Sequence, residues 1–285
     1  MTTLFDVIKK TYLSLGHLEI STATSGTVST LTDTKLGEKY GDDDIVGSSI
    51  LIIRDNAGLG AAPEKEVAYV TGYIASTNTI QISPSFSSAV GAGDRYGIAK
   101  NIIDIHTLVE LINDALQSLG TIQLTNTSIT TSTNVSEYSL PVNLKYRITS
   151  VQMQTDDSVG DNQWNDLFNY YVVNSGPGST GLLIFTEPLP GGYTLKIFYE
   201  AEHPLISAYS DSISETLHSE YVTKLVVDRA LEYQVRRTNG TDPFLLQTSN
   251  KAMQDVQDAR ARFSQPKHKR AKYITPYNFK YTDED

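Results

Sequence analysis

Residues Asp104–Gly120, DIHTLVELINDALQSLG, organise the reading of this chain. Ile105, Leu108, Leu111, Ile112, Ala115, Leu116 and Leu119 recur at helical spacing and make one wide apolar face. Asp104 stands where an N-cap is needed, since its carboxylate can accept amides that a first helical turn leaves without partners. Gly120 supplies the left-handed stop. The flanking sequence is rich in Thr, Ser and Gly, so this helix must find other helices to cover its apolar face.

Working outward, Leu4, Val7, Ile8 and Leu15 follow helical spacing behind Thr3, with Asp6 three residues on and Gly16 as a stop. Downstream, Ile213, Leu217, Tyr221, Leu225, Val226, Ala230 and Leu231 predict a helix up to the turn at Asn239-Gly240. Leu245, Leu246, Ala252, Met253, Val256, Ala259 and Phe263 predict another, ended by Pro266. The last two form an antiparallel hairpin in this reading. The economical way to bury four apolar faces is one core, so residues 1–16, 101–120 and 205–265 are expected to build a four-helix-bundle-like centre.

The stretches between these helices change character. Residues 17–100 carry short β-type runs, IVGSSILIIRD, EVAYVTGYI, TIQIS and DRYGIAK, separated by Gly, Pro and Asn turns. Residues 121–204 carry EYSLP, YRITSVQMQ, LFNYYVV, GLLIFT and YTLKIFYEA, punctuated by GPGS and PLPGG. The expected fold is therefore α+β: a helical core, two inserted antiparallel β domains, and an extended C-terminal arm at 266–285, where no apolar period survives.

Composition narrows function. With 285 residues the chain has ample length for a core, and 39% hydrophobic residues argue against wholesale disorder. It has no cysteine, which removes disulfides, thiol nucleophiles and Cys-ligated metals. Asp and Glu number 33 against 23 Lys and Arg, a net charge of −10 that opposes bulk binding to nucleic acid. No run approaches the roughly 18 to 20 apolar residues of a membrane span, and the N-terminal residues do not follow the pattern of a secretory leader.

The common phosphate, zinc-protease and acyl-transfer motifs are missing from the sequence. Gly58 and Gly60 in GLGAAPEK faintly resemble a phosphate loop, but no helical pattern follows, and a hairpin tip is expected. The histidines, at 17, 106, 203, 218 and 268, lack a metal-ligand spacing. Asp42–Asp44 and Asp156, Asp157 and Asp161 are read as solvated turns in preference to calcium loops, since neither has EF-hand spacing. Trp164, Phe168, Tyr170 and Tyr171 offer a carbohydrate platform, against which stands the reading of Trp164, Asp166, Phe168 and Tyr170 as one face of a core strand. The expectation is a protein without catalytic residues, cofactor or metal.

The C-terminal arm is the strongest local signal. Lys267, Lys269, Arg270 and Lys272 concentrate positive charge, and Tyr273, Tyr277, Phe279 and Tyr281 follow at once. These eight residues are read as a partner-binding arm, with a solvated tail and a single-strand nucleic-acid contact as alternatives.

Two stretches carry a family resemblance. The first is VGAGDRYGIAKNIIDIHTLVELINDALQSLG, with Gly93-Asp94-Arg95-Tyr96 before the helix containing Ile112-Asn113-Asp114-Ala115-Leu116. The second runs from Tyr138-Ser139-Leu140-Pro141 through Trp164, Tyr199 and Pro204 to the helix YVTKLVVDRALEYQVRR. Together they resemble the adaptor proteins, or neck and head-tail connectors, of tailed bacteriophages. The resemblance implies a virion protein assembled in the host cytoplasm, a homo-oligomeric ring, commonly a dodecamer, between the portal and the downstream tail or neck proteins. Genomic DNA would pass through such a ring without specific binding, and a C-terminal segment would reach the portal. A β-rich adhesin-like module recognising a carbohydrate or protein ligand is the competing expectation.

Overall fold

A computed structural model describes residues 2–58, 60–141, 148–156, 163–173 and 181–263. By contact pattern these fall into two units, one holding residues up to 119 together with those from 203 to 263, the other holding the described residues from 120 to 202.

In the first unit, α1 (Leu4–Ser14) starts with a capping box in which Thr3 and Asp6 satisfy each other's backbone amides. Seven strands follow: β1 (Leu18–Thr22), β2 (Ser25–Gly26), β3 (Thr30–Thr32), β4 (Ser49–Arg54), β5 (Val67–Ile74), β6 (Thr79–Ser83) and β7 (Arg95–Ala99). They form one antiparallel sheet in the order β1-β7-β4-β5-β6-β3-β2. The first and last strands of that order are separated in the chain only by Ala23 and Thr24. The Ala23 amide donates to the Asp94 carbonyl on one side, and the Thr24 amide to the Thr32 carbonyl on the other. Residues 18–26 thus act as one bent strand, and the sheet curls back on itself as a barrel. Gly26 sits where a Cβ would stand 2.6 Å from the Thr30 carbonyl oxygen, so the bend needs its missing side chain.

Alternating positions fill this barrel: Leu31, Ile50, Ile52, Val70, Tyr73, Ile80, Tyr96 and Ile98 are buried together. One carboxylate lies among them. Asp33 is 1% exposed, and it accepts from Ser21 Oγ at 2.5 Å, the Tyr96 hydroxyl at 2.8 Å and the Lys35 amide at 3.0 Å. Burial and the Asp33 carboxylate both push the Tyr96 hydroxyl well above its ordinary proton affinity.

α2 (Ile105–Ser118) follows, capped by Asp104, whose carboxylate accepts the His106 amide at 2.9 Å. The remaining helices of this unit are α3 (Ser219–Arg237) and α4 (Pro243–Arg262). α3 packs against α1, α2 and α4.

The second unit holds seven strands: β8 (Thr121–Thr130), β9 (Val135–Ser139), β10 (Ile148–Asp156), β11 (Gln163–Leu167), β12 (Tyr170–Val173), β13 (Leu182–Leu189) and β14 (Thr194–Glu202). They make a four-stranded sheet, β11-β10-β14-β8, and a three-stranded sheet, β12-β13-β9, both antiparallel. Tyr138, Leu140, Leu183 and Phe185 from the region of the smaller sheet share one core with Val151, Leu195, Ile197 and Tyr199 of the larger. That is sandwich packing, with inner positions alternating along β14.

The expected fold class is corrected by this architecture. The described residues are mostly β-sheet, in three antiparallel sheets of 14 strands, with four helices, and no four-helix-bundle core organises them. The physical reason lies in α4, which buries only Ala252 and Ala259. Two alanines do not close a bundle, and Val256, which the four-helix core needs buried, is only half-buried, as is Leu245. A second correction concerns the start of α3. Ile213 and Leu217 keep helical spacing with Tyr221, yet they precede the helix, because residues beside them pair with the N-terminus of α1 through the bridge Thr3–Ser212.

Candidate interaction surface

The geometry of α4 follows from its pattern. Leu245, Ala252 and Ala259 repeat every seven residues and, with Val256, form the stripe toward α3. Leu246 and Met253 repeat at the same interval but sit one residue, or about 100°, around the helix. They are 38% and 55% exposed, and Phe244 is 77% exposed. Asp242 starts the helix, its carboxylate accepting the Phe244 amide at 2.9 Å and the Leu245 amide at 3.2 Å.

A groove of about 440 Å³ runs beside this helix, with Leu15, Val227, Leu231, Leu245 and Ala252 as apolar walls and Phe244 on its lining. Lys224 in the groove pairs with Glu220 at 3.3 Å. Lys251 and Asp255, one turn apart on α4, have no ion-pair partner among the described residues. His17 closes one side, its Nε2 accepting from the Gln234 amide nitrogen at 3.3 Å. Burial, and then Lys100, hold the His17 imidazole below the usual proton affinity, and its contact with the Gly16 backbone offsets them only in part.

The eight arm residues, Lys267, Lys269, Arg270, Lys272, Tyr273, Tyr277, Phe279 and Tyr281, lie outside the described residues, as do His268, Asp157 and Asp161. In the GLGAAPEK loop, Glu64 accepts the Gly60 amide at 3.1 Å and, from the residues before the loop, the Asp55 amide at 3.4 Å. The Gly60 amide, which a phosphate loop would offer to its ligand, is thus taken up by a carboxylate of the same loop. Asp42, Asp43 and Asp44 do not converge on a point; they accept the amides of Ala75, Tyr73 and Gly41 respectively. No grouping of three or more His, Asp or Glu suited to a metal occurs among the described residues.

The aromatic run behaves differently from the strand expected for it. Tyr170 packs against the sandwich core, but Phe168 is 60% and Tyr171 53% exposed. Trp164 does not belong to the core. It lies half-buried on the larger sheet, where Lys196 Nζ stands 5.2 Å from its ring centroid and 5.3 Å from that of Phe198. Gln152 donates to Asp166 beside them at 2.8 Å. The alternation of buried and half-buried residues along β14 carries the signal for this row, since Lys196 and Phe198 share the outward face.

Spacing alone does not reveal the outward face of α4, because Leu246 and Met253 fit the same broad apolar stripe as Leu245 and Ala252. A helical wheel separates the two sets. No protein-family model matches the chain, and no curated protein is similar to it.

Proposed function

We propose that this chain is a structural, non-catalytic virion protein of a tailed bacteriophage, an adaptor or neck subunit. It forms a ring that joins the portal to the tail and continues the DNA channel. The observation that carries this reading is α4: a 20-residue helix with two buried alanines and three large exposed apolar side chains is built for a partner. A ring subunit needs such faces, because heterologous contacts around a rotation axis use surfaces that the isolated subunit leaves in water. The sequence resemblance supplies the identity of the assembly, and the net charge of −10 suits a conduit that must not grip a polyanion.

In this reading the copies form a dodecamer, and the arm with Lys267 to Tyr281 reaches onto an acidic face of the portal, cations steering and tyrosines anchoring. Electron microscopy of particles carrying antibody-labelled protein tests it. A symmetric ring at the portal-tail junction is expected; label on fibres, or on no particle, overturns the proposal.

The row Trp164–Lys196–Phe198 favours the second reading, a β-rich module that binds a carbohydrate or protein ligand. Trp164 is the single tryptophan, so its emission reports that face directly. A saturable shift of that emission with a glycan panel, weakened in Lys196→Ala, which keeps the reporter, would favour it over the ring.

A further inference from the structure

Residues 203–218 connect β14 to α3 without helix or strand of their own, yet they hold much of the first unit together. The Leu4 and Phe5 amides, which the first turn of α1 leaves free, donate to the carbonyls of Asp211 at 2.9 Å and Tyr209 at 3.1 Å. The Ile213 amide returns a bond to the Thr2 carbonyl at 2.9 Å. From α2, the Asn113 side chain accepts the Ile206 amide at 3.0 Å and donates to the Ile206 carbonyl at 2.9 Å. This strap therefore caps one helix and clamps another.

His203 closes the strap on itself. It is 3% exposed, its Nε2 accepts the Ser214 amide at 3.1 Å, and its Nδ1 lies 2.8 Å from the Pro204 carbonyl oxygen. The amide has only a proton to give, so Nε2 must carry the lone pair and Nδ1 the hydrogen. Both ring nitrogens are committed. A second proton could enter only at Nε2, where it would face the Ser214 N–H donor to donor.

We propose that His203 is an acid-sensitive latch, whose protonation breaks the closure to Ser214 and loosens the strap from the N-terminus of α1. Its proton affinity is lowered by burial, opposed by the hydrogen bond with the Pro204 carbonyl, and among the described residues no charged side chain compensates the imidazolium. Asp211, in the strap, accepts the Ser207 and Ala208 amides at 2.8 Å each. Asp6 on α1 is held by Thr3 and Lys9, and Lys10 donates to Ser219 Oγ at 3.3 Å. Glu202 on β14 and Glu215 in the strap face water. At the far end, His218 accepts the Glu220 amide through Nδ1 at 3.3 Å and stacks on Phe263 with centroids 3.8 Å apart, so it is the second histidine that any test must separate.

The test is amide hydrogen exchange of the full chain between about pH 7.5 and pH 5, corrected for intrinsic exchange, with side-chain titration of the histidines by NMR. Protection at Leu4, Phe5 and Ser214 is expected to fall at least about tenfold in acid, while barrel amides such as Ile98 keep theirs. His203→Gln, which retains a neutral acceptor, should flatten the change, and His218→Gln should leave it in place. An equal fall in His203→Gln, or unchanged protection in the wild type, overturns the latch. Should His203→Gln fail to fold, the wild-type titration decides alone: the latch requires His203 to titrate below the ordinary histidine range together with a shift of the Ser214 amide, and titration at or above that range with Ser214 unmoved refutes it.

Discussion

Helices α3 and α4 are neighbours of almost equal length, 19 and 20 residues, and they meet water on opposite terms. α3 buries eight residues, among them Val222 and Val226 at 0% exposure, and is contacted by α1, α2 and α4. α4 buries two alanines and touches chiefly α3. The difference teaches that helical length and spacing say little about what fastens a helix. α3 is held by packing, whereas α4 is held by its cap and one narrow stripe, which leaves most of its circumference for outside contacts.

Breaking the comparison begins with α3. Leu225→Ala, at a buried α3 position, should cost about 2–5 kcal/mol in denaturant unfolding, because the surrounding helices cannot collapse fully into the gap. Met253→Ala, its exposed counterpart on α4, should stay within about 0.5 kcal/mol. Equal costs would mean that α4 carries as much of the fold as α3.

Between those extremes lies the cap. Asp242→Ala removes the acceptor for two α4 amides and should cost about 1 kcal/mol, read as faster exchange confined to the start of α4. Exchange spreading into α3 would show the two helices opening as one body.

A pH effect sharpens the contrast further. His17 accepts from Gln234 of α3, and its folded proton affinity is lowered, so the unfolded chain binds the proton first. The stability it contributes is complete above the unfolded value of about 6.5 and is lost as pH falls from there through the lowered folded value. Melting temperature should therefore decline over that window, and His17→Gln should reduce the decline, leaving the share expected from His203. An unchanged profile would remove His17 from the account.

The smallest effect is expected at the C-terminus. A chain ending at Gln265 should melt within about 1 °C of full length, since α4 closes before that point, and, if the proposed function holds, should fail to join a portal in a reconstitution assay. Normal incorporation would remove the arm from the proposed function.

Much of the local structure is legible in the residues. The apolar face and cap of α2 were readable because spacing and an N-cap aspartate are local signals, and the helix runs Ile105–Ser118 behind Asp104 as they imply. The strands β4, β5, β6 and β7 coincide with the short β-type runs bounded by Gly, Pro and Asn turns for the same reason. The short β2 and β3 were not legible, because a strand of two or three residues exists only through its partner. Nor was the helical core refuted in advance: spacing locates an apolar face, while what covers it is decided by residues far away in the chain. Of the candidate site, the groove and the exposed side of α4 were hidden by the same ambiguity, since Leu246 and Met253 fit a broad apolar stripe as well as a second face.

The bend at residues 18–26 has a consequence for how the sheet meets a neighbouring molecule. A sheet that ended in two free flanks would present rows of unpaired amides and carbonyls to every neighbouring copy, an invitation to strand-by-strand accretion. Here the two flanking strands are halves of one bent strand, β1 pairing with β7 and β2 with β3, and the bend itself is bonded through Ala23 to Asp94 and through Thr24 to Thr32. The backbone left open to a neighbour is thereby short, five residues along β1 and two along β2, and it is interrupted by the bend, which limits strand-by-strand pairing with a second copy.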